Sequence, residues 1–189
     1  MRIKDINIVN FKGFQNKTVV FNGNLTVVIG NNTAGKTTLL KALQVGLGAY
    51  LQSLKKLPGG TPYRRNFGSL DKFKKHDDIL RDYIPNDEKP RITINADFPV
   101  TQSLCDNCPK VSFVPVHWYR EFAGNYTTHT RACAGELIDA VHQMESLRYD
   151  EKQESVYPLV LSFGAKRTSD SQARSSSNVK ERASRIEKA

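Results

Sequence analysis

The stretch that most constrains this chain is Gly30-Asn31-Asn32-Thr33-Ala34-Gly35-Lys36-Thr37. It satisfies G-x-x-x-x-G-K-[ST], the loop that wraps phosphate groups in nucleoside triphosphatases. The flanks agree with it. Leu25-Thr26-Val27-Val28-Ile29 is short, apolar and β-branched, which predicts a buried parallel strand. Thr38-Leu39-Leu40-Lys41-Ala42-Leu43-Gln44-Val45 is a run of mostly good helix formers, which predicts a helix from Lys36. Strand, glycine loop and helix start together aim backbone N–H groups and a positive dipole end at an anion. Asn31, Asn32, Thr33, Ala34, Gly35, Lys36, Thr37 and Thr38 are therefore the candidate contacts to ATP. Lys36 is expected to reach the β- and γ-phosphates, and the Thr37 hydroxyl to complete a Mg²⁺ shell.

Upstream, Ile3, Ile6 and Ile8 lie among polar residues, and Thr18-Val19-Val20-Phe21 follows a turn at Asn10-Phe11-Lys12-Gly13-Phe14. This predicts an N-terminal hairpin closed off by Asn22-Gly23-Asn24. Downstream, the helix is apolar on most faces, as burial requires. Gly46 and Gly48 are expected to weaken its second half, and Pro58-Gly59-Gly60 to end it. Residues 58–90 form a polar excursion in which Asp78-Ile79-Leu80-Arg81 is expected to start a short helix. Its lysines read as a solvated face in preference to a DNA-facing loop. Residues 91–122 alternate in two runs and predict an added antiparallel β-subdomain, with a loop around Cys105 and Cys108. Ala134 to Leu147 carries a helical stripe of Leu137, Ile138, Val141 and Met144 that reads as core. Tyr157 to Gly164 predicts a further central strand. From Lys166 the chain turns basic and serine-rich, and Asn178 with Glu181 gives a capping-box helix start.

The opening of the chain resembles a known family. Ile6-Asn7-Ile8-Val9-Asn10-Phe11-Lys12-Gly13-Phe14, followed by Leu25 through Leu43, is similar to the start of SMC/RecF-like ATP-binding cassette ATPases. The resemblance implies an α/β three-layer sandwich of the P-loop NTPase type, with a mixed sheet and an N-terminal antiparallel part. It implies that Lys12 lies near the nucleotide phosphates. It also implies a dimer of heads that clamps ATP and Mg²⁺ and gates work on DNA or RNA, or on an effector. A looser likeness, around Trp118-Tyr119-Arg120-Glu121, is to the stand-alone ATPases of anti-phage operons such as Septu and some retrons. That likeness implies a nuclease effector as partner.

Parts of the family pattern are missing from the sequence. No apolar run ends in an Asp-Glu pair, no Leu-Ser-Gly-Gly-like motif is present, and all four histidines precede Tyr157. Gln172 is the nearest candidate for a Mg²⁺-contacting glutamine. The expectation is the N-terminal half of a head: residues 1–165 as head, 166–189 as a basic segment, with binding but not hydrolysis. The rival is a nucleotide-dependent scaffold that never turns ATP over. A P-loop kinase is disfavoured by the N-terminal hairpin and the lack of a second basic lid motif.

A metal reading competes for the cysteines. Cys105-x-x-Cys108 and His129-x-x-x-Cys133 are two ligand pairs near zinc-finger spacing, though the first is also an ordinary turn. Three cysteines without secretory context argue against a disulfide framework and for a reducing cytoplasm, and no run is long enough to span a membrane. The formal net charge of +9 suits a triphosphate and permits a nucleic-acid partner.

Overall fold

The computed structural model describes residues 1–54, 64–102, 110–149 and 155–162. Its centre is an antiparallel sheet in the order β2-β1-β5-β6. These strands are β1 (Arg2–Phe11), β2 (Phe14–Val20), β5 (Arg91–Gln102) and β6 (Lys110–Glu121). Two short strands, β3 (Lys74–Asp77) and β4 (Asp82–Pro85), form a separate hairpin between β2 and β5 in sequence. The helices are α1 (Lys36–Ser53) and α2 (Arg131–Tyr149).

Alternation decides which sheet face is buried. Ile6 sits opposite Ile94, Ile8 opposite Ile92, and Ile94 in turn opposite Trp118. All five are fully buried. The intervening residues stay polar and bond across strands, as when Asn95 Nδ2 donates to Asp5 Oδ1 at 2.8 Å. One face is therefore core and the other wet, the usual state of an antiparallel sheet. Helix α1 presents Ala42, Val45, Ala49 and Tyr50 to the core, and α2 presents Leu137, Val141 and Met144. The stripe on α2 is core, as its spacing predicts.

Several expectations are corrected. Residues 91–122 do not form an added subdomain; β5 pairs directly with β1 and extends the N-terminal hairpin into one sheet. Gly46 and Gly48 do not interrupt α1, which runs through both. They are close-approach points: a methyl group at Gly46 would collide with Ile94, and one at Gly48 with the Arg120 guanidinium. The indole N–H of Trp118 also donates to Gly46 O at 2.9 Å. Asp78-Ile79-Leu80-Arg81 is the turn of the β3–β4 hairpin and not a helix start. Asp77 Oδ1 accepts the N–H groups of Ile79 and Leu80, and this local bond competes with helix.

The largest correction concerns Leu25–Ile29. This run carries no strand, and Leu25, Val27 and Ile29 are 79%, 70% and 88% exposed. Among the described residues nothing pairs with its backbone, so its apolar side chains have no sheet to lie in. Residues 155–162 likewise hold no strand, against the expectation for Tyr157–Gly164; Phe163 and Gly164 lie outside the described residues. Leu159–Ser162 belong to a second unit of the chain and are irregular. Gln172, Asn178, Glu181 and the rest of the basic segment also lie outside the described residues. What stands is an α/β fold with an N-terminal antiparallel part. The parallel part of its sheet is not formed among the described residues.

Candidate nucleotide-binding site

The phosphate loop enters α1 at Gly35, whose φ of 88° is left-handed. A side chain here would be strained, and its Cβ would come within 2.6 Å of the Phe14 ring. Glycine is thus required twice, once by the backbone and once by the neighbour. Thr33 is also left-handed, with φ 74°. Lys36 folds back across the loop and donates to Gly30 O and Asn31 O, both at 2.6 Å. The start of α1 has no side-chain cap and no acidic residue in its first turn. Its first N–H groups and its dipole are therefore not taken up by the protein's own carboxylates. Asn31, Asn32, Thr33, Ala34 and Thr37 are exposed, while Gly35 and Thr38 are half-covered. Glycine backbone, inward lysine and uncapped helix start fit a triphosphate.

Phe14 ties this loop to the β1–β2 hairpin, whose tip is Lys12-Gly13. Lys12 has a φ of 52°, which is costly for a residue with a side chain. One residue holds it at both ends. Lys12 N–H donates to Asp71 O at 2.7 Å, and Lys12 Nζ lies 2.7 Å from Asp71 Oδ1. Asp71 is buried. Its carboxylate also accepts from Arg65 Nη2, 3.2 Å to each oxygen, and from Gly68 N–H at 2.9 Å. Burial pushes the Asp71 carboxyl up, but Lys12, Gly68 and Arg65 outweigh it and hold it below the usual carboxylate value. Sequence reasoning missed Asp71 because it sits in a stretch that reads as polar surface. The readable signal was Gly68-Ser69-Leu70-Asp71, a reverse turn closed by its own aspartate. Neighbouring bonds pin the same turn: Phe73 N–H donates to Asn10 O at 3.0 Å, and Asn10 Nδ2 donates to Glu88 Oε2 at 2.8 Å.

A buried cation holds the far end of α1. Arg120 is fully buried. Its five N–H groups reach Val45 O, Arg65 O, Asn66 Oδ1, Gln52 Oε1 and Thr128 O, all neutral acceptors. Burial, and then the charge of Arg64, pull its pKa down to about 10. Arg120 thus stitches β6, α1 and residues 65–66 together.

The zinc candidates separate into two groups. Cys105 and Cys108 lie outside the described residues. His129 Nε2 is 3.5 Å from Ser53 Oγ, and burial, then Arg120 and Arg64, lower its pKa to about 4. Cys133 is a free thiol that accepts from Thr130 Oγ1 at 3.2 Å. Among the described residues no group of three or more His, Cys, Asp or Glu side chains could hold a metal. No described helix is long and apolar enough to cross a membrane.

Two curated proteins share sequence with this chain. It is 43% identical over 49 residues to Retron Ec83 probable ATPase of Escherichia coli, covering 25% of this chain and 9% of that protein. It is 40% identical over 47 residues to the DNA double-strand break repair Rad50 ATPase of Sulfolobus acidocaldarius, covering 25% of this chain and 5% of that protein. The aligned stretch is thus a small part of either relative. A solved chain from work on ATP-driven dimerization and DNA-stimulated activation of SMC ATPases overlays 76% of this chain and 79% of its own length. Its TM-score is 0.44 and its identity 16%. The resemblance to SMC/RecF-like ATPases is borne out. The sequence model of the AAA ATPase domain family matches residues 1–186, and the chain belongs to that family.

Proposed function

We propose that this chain binds ATP with Mg²⁺ at Gly30–Thr38 and forms one side of a two-headed ATPase. The observation that carries the reading is the uncapped start of α1 behind a left-handed Gly35, with Lys36 folded across the loop. Backbone N–H groups of the loop would hold the phosphates, and Lys36 would supply the positive charge against them. The exposed Thr37 hydroxyl would hold the Mg²⁺ that neutralises the phosphate charge. Lys12, at the hairpin tip, would add a second cation.

Hydrolysis needs more than this: an aligned water, a base and charge on the opposite side of the phosphate. No apolar run ending in an acidic pair is present in the sequence to supply the base. Those groups are then contributed from outside these residues, and the chain alone binds without turnover. The net charge of +9 suits a polyanionic partner, DNA or RNA, and the retron ATPase likeness supports an anti-phage setting with a nuclease effector. A zinc held by Cys105, Cys108, His129 and Cys133 is a separate reading, tested by elemental analysis of protein purified without chelators.

The test is titration of a fluorescent ATP analogue into the wild type and Lys36→Ala. Loss of the lysine should remove about 2–3 kcal/mol of charge-assisted contact. Affinity should fall about 30- to 150-fold. Equal affinities would overturn the assignment.

A further inference from the structure

Lys12 shares its hairpin tip with Phe14, which packs on Gly35 of the phosphate loop, and its ammonium is already engaged. We infer that Asp71 is a specificity-determining residue that competes with nucleotide phosphates for Lys12 and so sets how tightly a triphosphate is held. The inference rests on the nucleotide-binding reading above.

The geometry is specific. The Lys12 ammonium lies 2.7 Å from Asp71 Oδ1, within charge-assisted bonding distance. The Asp71 side chain is 5% exposed and that of Lys12 25%, so the contact is held inside the protein while the lysine keeps a path to solvent. Backbone bonds hold the pair in place: Lys12 N–H donates to Asp71 O at 2.7 Å, and Asp71 N–H donates to Gly68 O at 3.0 Å within its own turn. Lys12 shares the hairpin tip with Phe14, whose ring rests on Gly35 at the mouth of the phosphate loop. A carboxylate and a phosphate oxygen make the same demand on an ammonium. Whatever Asp71 holds is withheld from the phosphates.

Charge sets the direction of the effect. Lys12, Arg65 and Asp71 together carry one net positive charge, from two cations and one anion. Neutralising Asp71 raises this to two and releases Lys12, so a polyanion is held more tightly. Arg65 works the other way: it shares the Asp71 carboxylate, and removing it leaves Lys12 as the one side-chain cation shown on that carboxylate. Because the effect passes through phosphate charge, it should be larger for ATP than for ADP and should vanish without Lys12.

The experiment is a double-mutant cycle read by titration with fluorescent ATP and ADP analogues. Asp71→Asn keeps the shape and the oxygen that Gly68 N–H needs. It should tighten ATP binding by about threefold to tenfold, and ADP binding by less. In a Lys12→Ala background the same change should do nothing. If Asp71→Asn does not fold, Arg65→Gln tests the claim from the other side. It should weaken ATP binding severalfold with Lys12 present and not with Lys12→Ala. Weaker or unchanged ATP binding in Asp71→Asn, or a gain that survives Lys12→Ala, would overturn the inference. Lys36→Ala separates this failure from failure of the site itself. If wild type binds and Lys36→Ala does not, the site stands whatever Asp71 does; if wild type does not bind, both readings fall.

Discussion

Strand β1 and the run Leu25–Ile29 both carry β-branched apolar residues and end in opposite environments. In β1, Ile6 and Ile8 are fully buried; in the other run Leu25 and Ile29 are 79% and 88% exposed. The difference lies in what each can pair with. β1 alternates apolar and polar residues, turns at Lys12-Gly13 onto β2, and takes β5 on its other side. Both its edges are satisfied by strands within the described residues, and its polar face can remain in water. Leu25–Ile29 is apolar on both faces. A run of that kind is buried only between parallel neighbours and covering helices. Leu39, Leu40 and Leu43 of α1 line a groove beside it, but among the described residues no strand supplies its backbone bonds. A strand is thus a statement about partners as much as about residues.

That contrast can be tested in order of effect. Trp118 belongs to the satisfied region: its ring is fully buried and its N–H is bonded. Trp118→Ala should cost roughly 3–5 kcal/mol in denaturant unfolding. A loss below 1 kcal/mol would mean the sheet core is not packed as described.

The next effect is pH-dependent. Native His129 takes its proton only near pH 4, because burial and then Arg120 and Arg64 oppose the charge. The unfolded chain takes it near pH 6.5, so between those values the unfolded state holds more protons. Stability from this residue is full above pH 6.5 and is lost as pH falls through 4, by roughly 3 kcal/mol in all. His129→Asn should flatten that part of the stability profile, and an unchanged profile would refute the burial of the ring.

Smaller again is Gly46→Ala. Helix propensity alone would make it stabilising, but contact with Ile94 and Ile92 should make it destabilising by about 1–3 kcal/mol. The sign decides between a glycine kept for packing and one merely tolerated. Last comes Ile29→Ala in the unpaired run, expected within about 0.5 kcal/mol of wild type. A loss as large as that of Trp118→Ala would show that Leu25–Ile29 is buried after all.

These cases also show what could be read from the chain alone. The hairpin, α1, the two long strands and the α2 stripe were legible because each depends on local periodicity and near neighbours in sequence. The phosphate loop was legible because Gly35 and Lys36 are demanded by chemistry at fixed spacing. Asp71 was not, because its importance comes from Lys12 and Arg65, which meet it only in the fold. Arg120 could be seen in sequence but not understood, since its five acceptors come from α1 and two connecting segments. Gly46 and Gly48 read as helix weakeners because propensity says nothing about the side chains that approach from outside the helix.

The central proposal is that these residues supply the binding side of an ATP site and not the hydrolytic side. The most direct measurement is steady-state phosphate release by the 189-residue chain at saturating ATP, beside a Lys36→Ala control. The account predicts that ATP binds and that phosphate release does not exceed the control. Robust turnover that Lys36→Ala abolishes would contradict it, by showing that these residues contain a complete catalytic site.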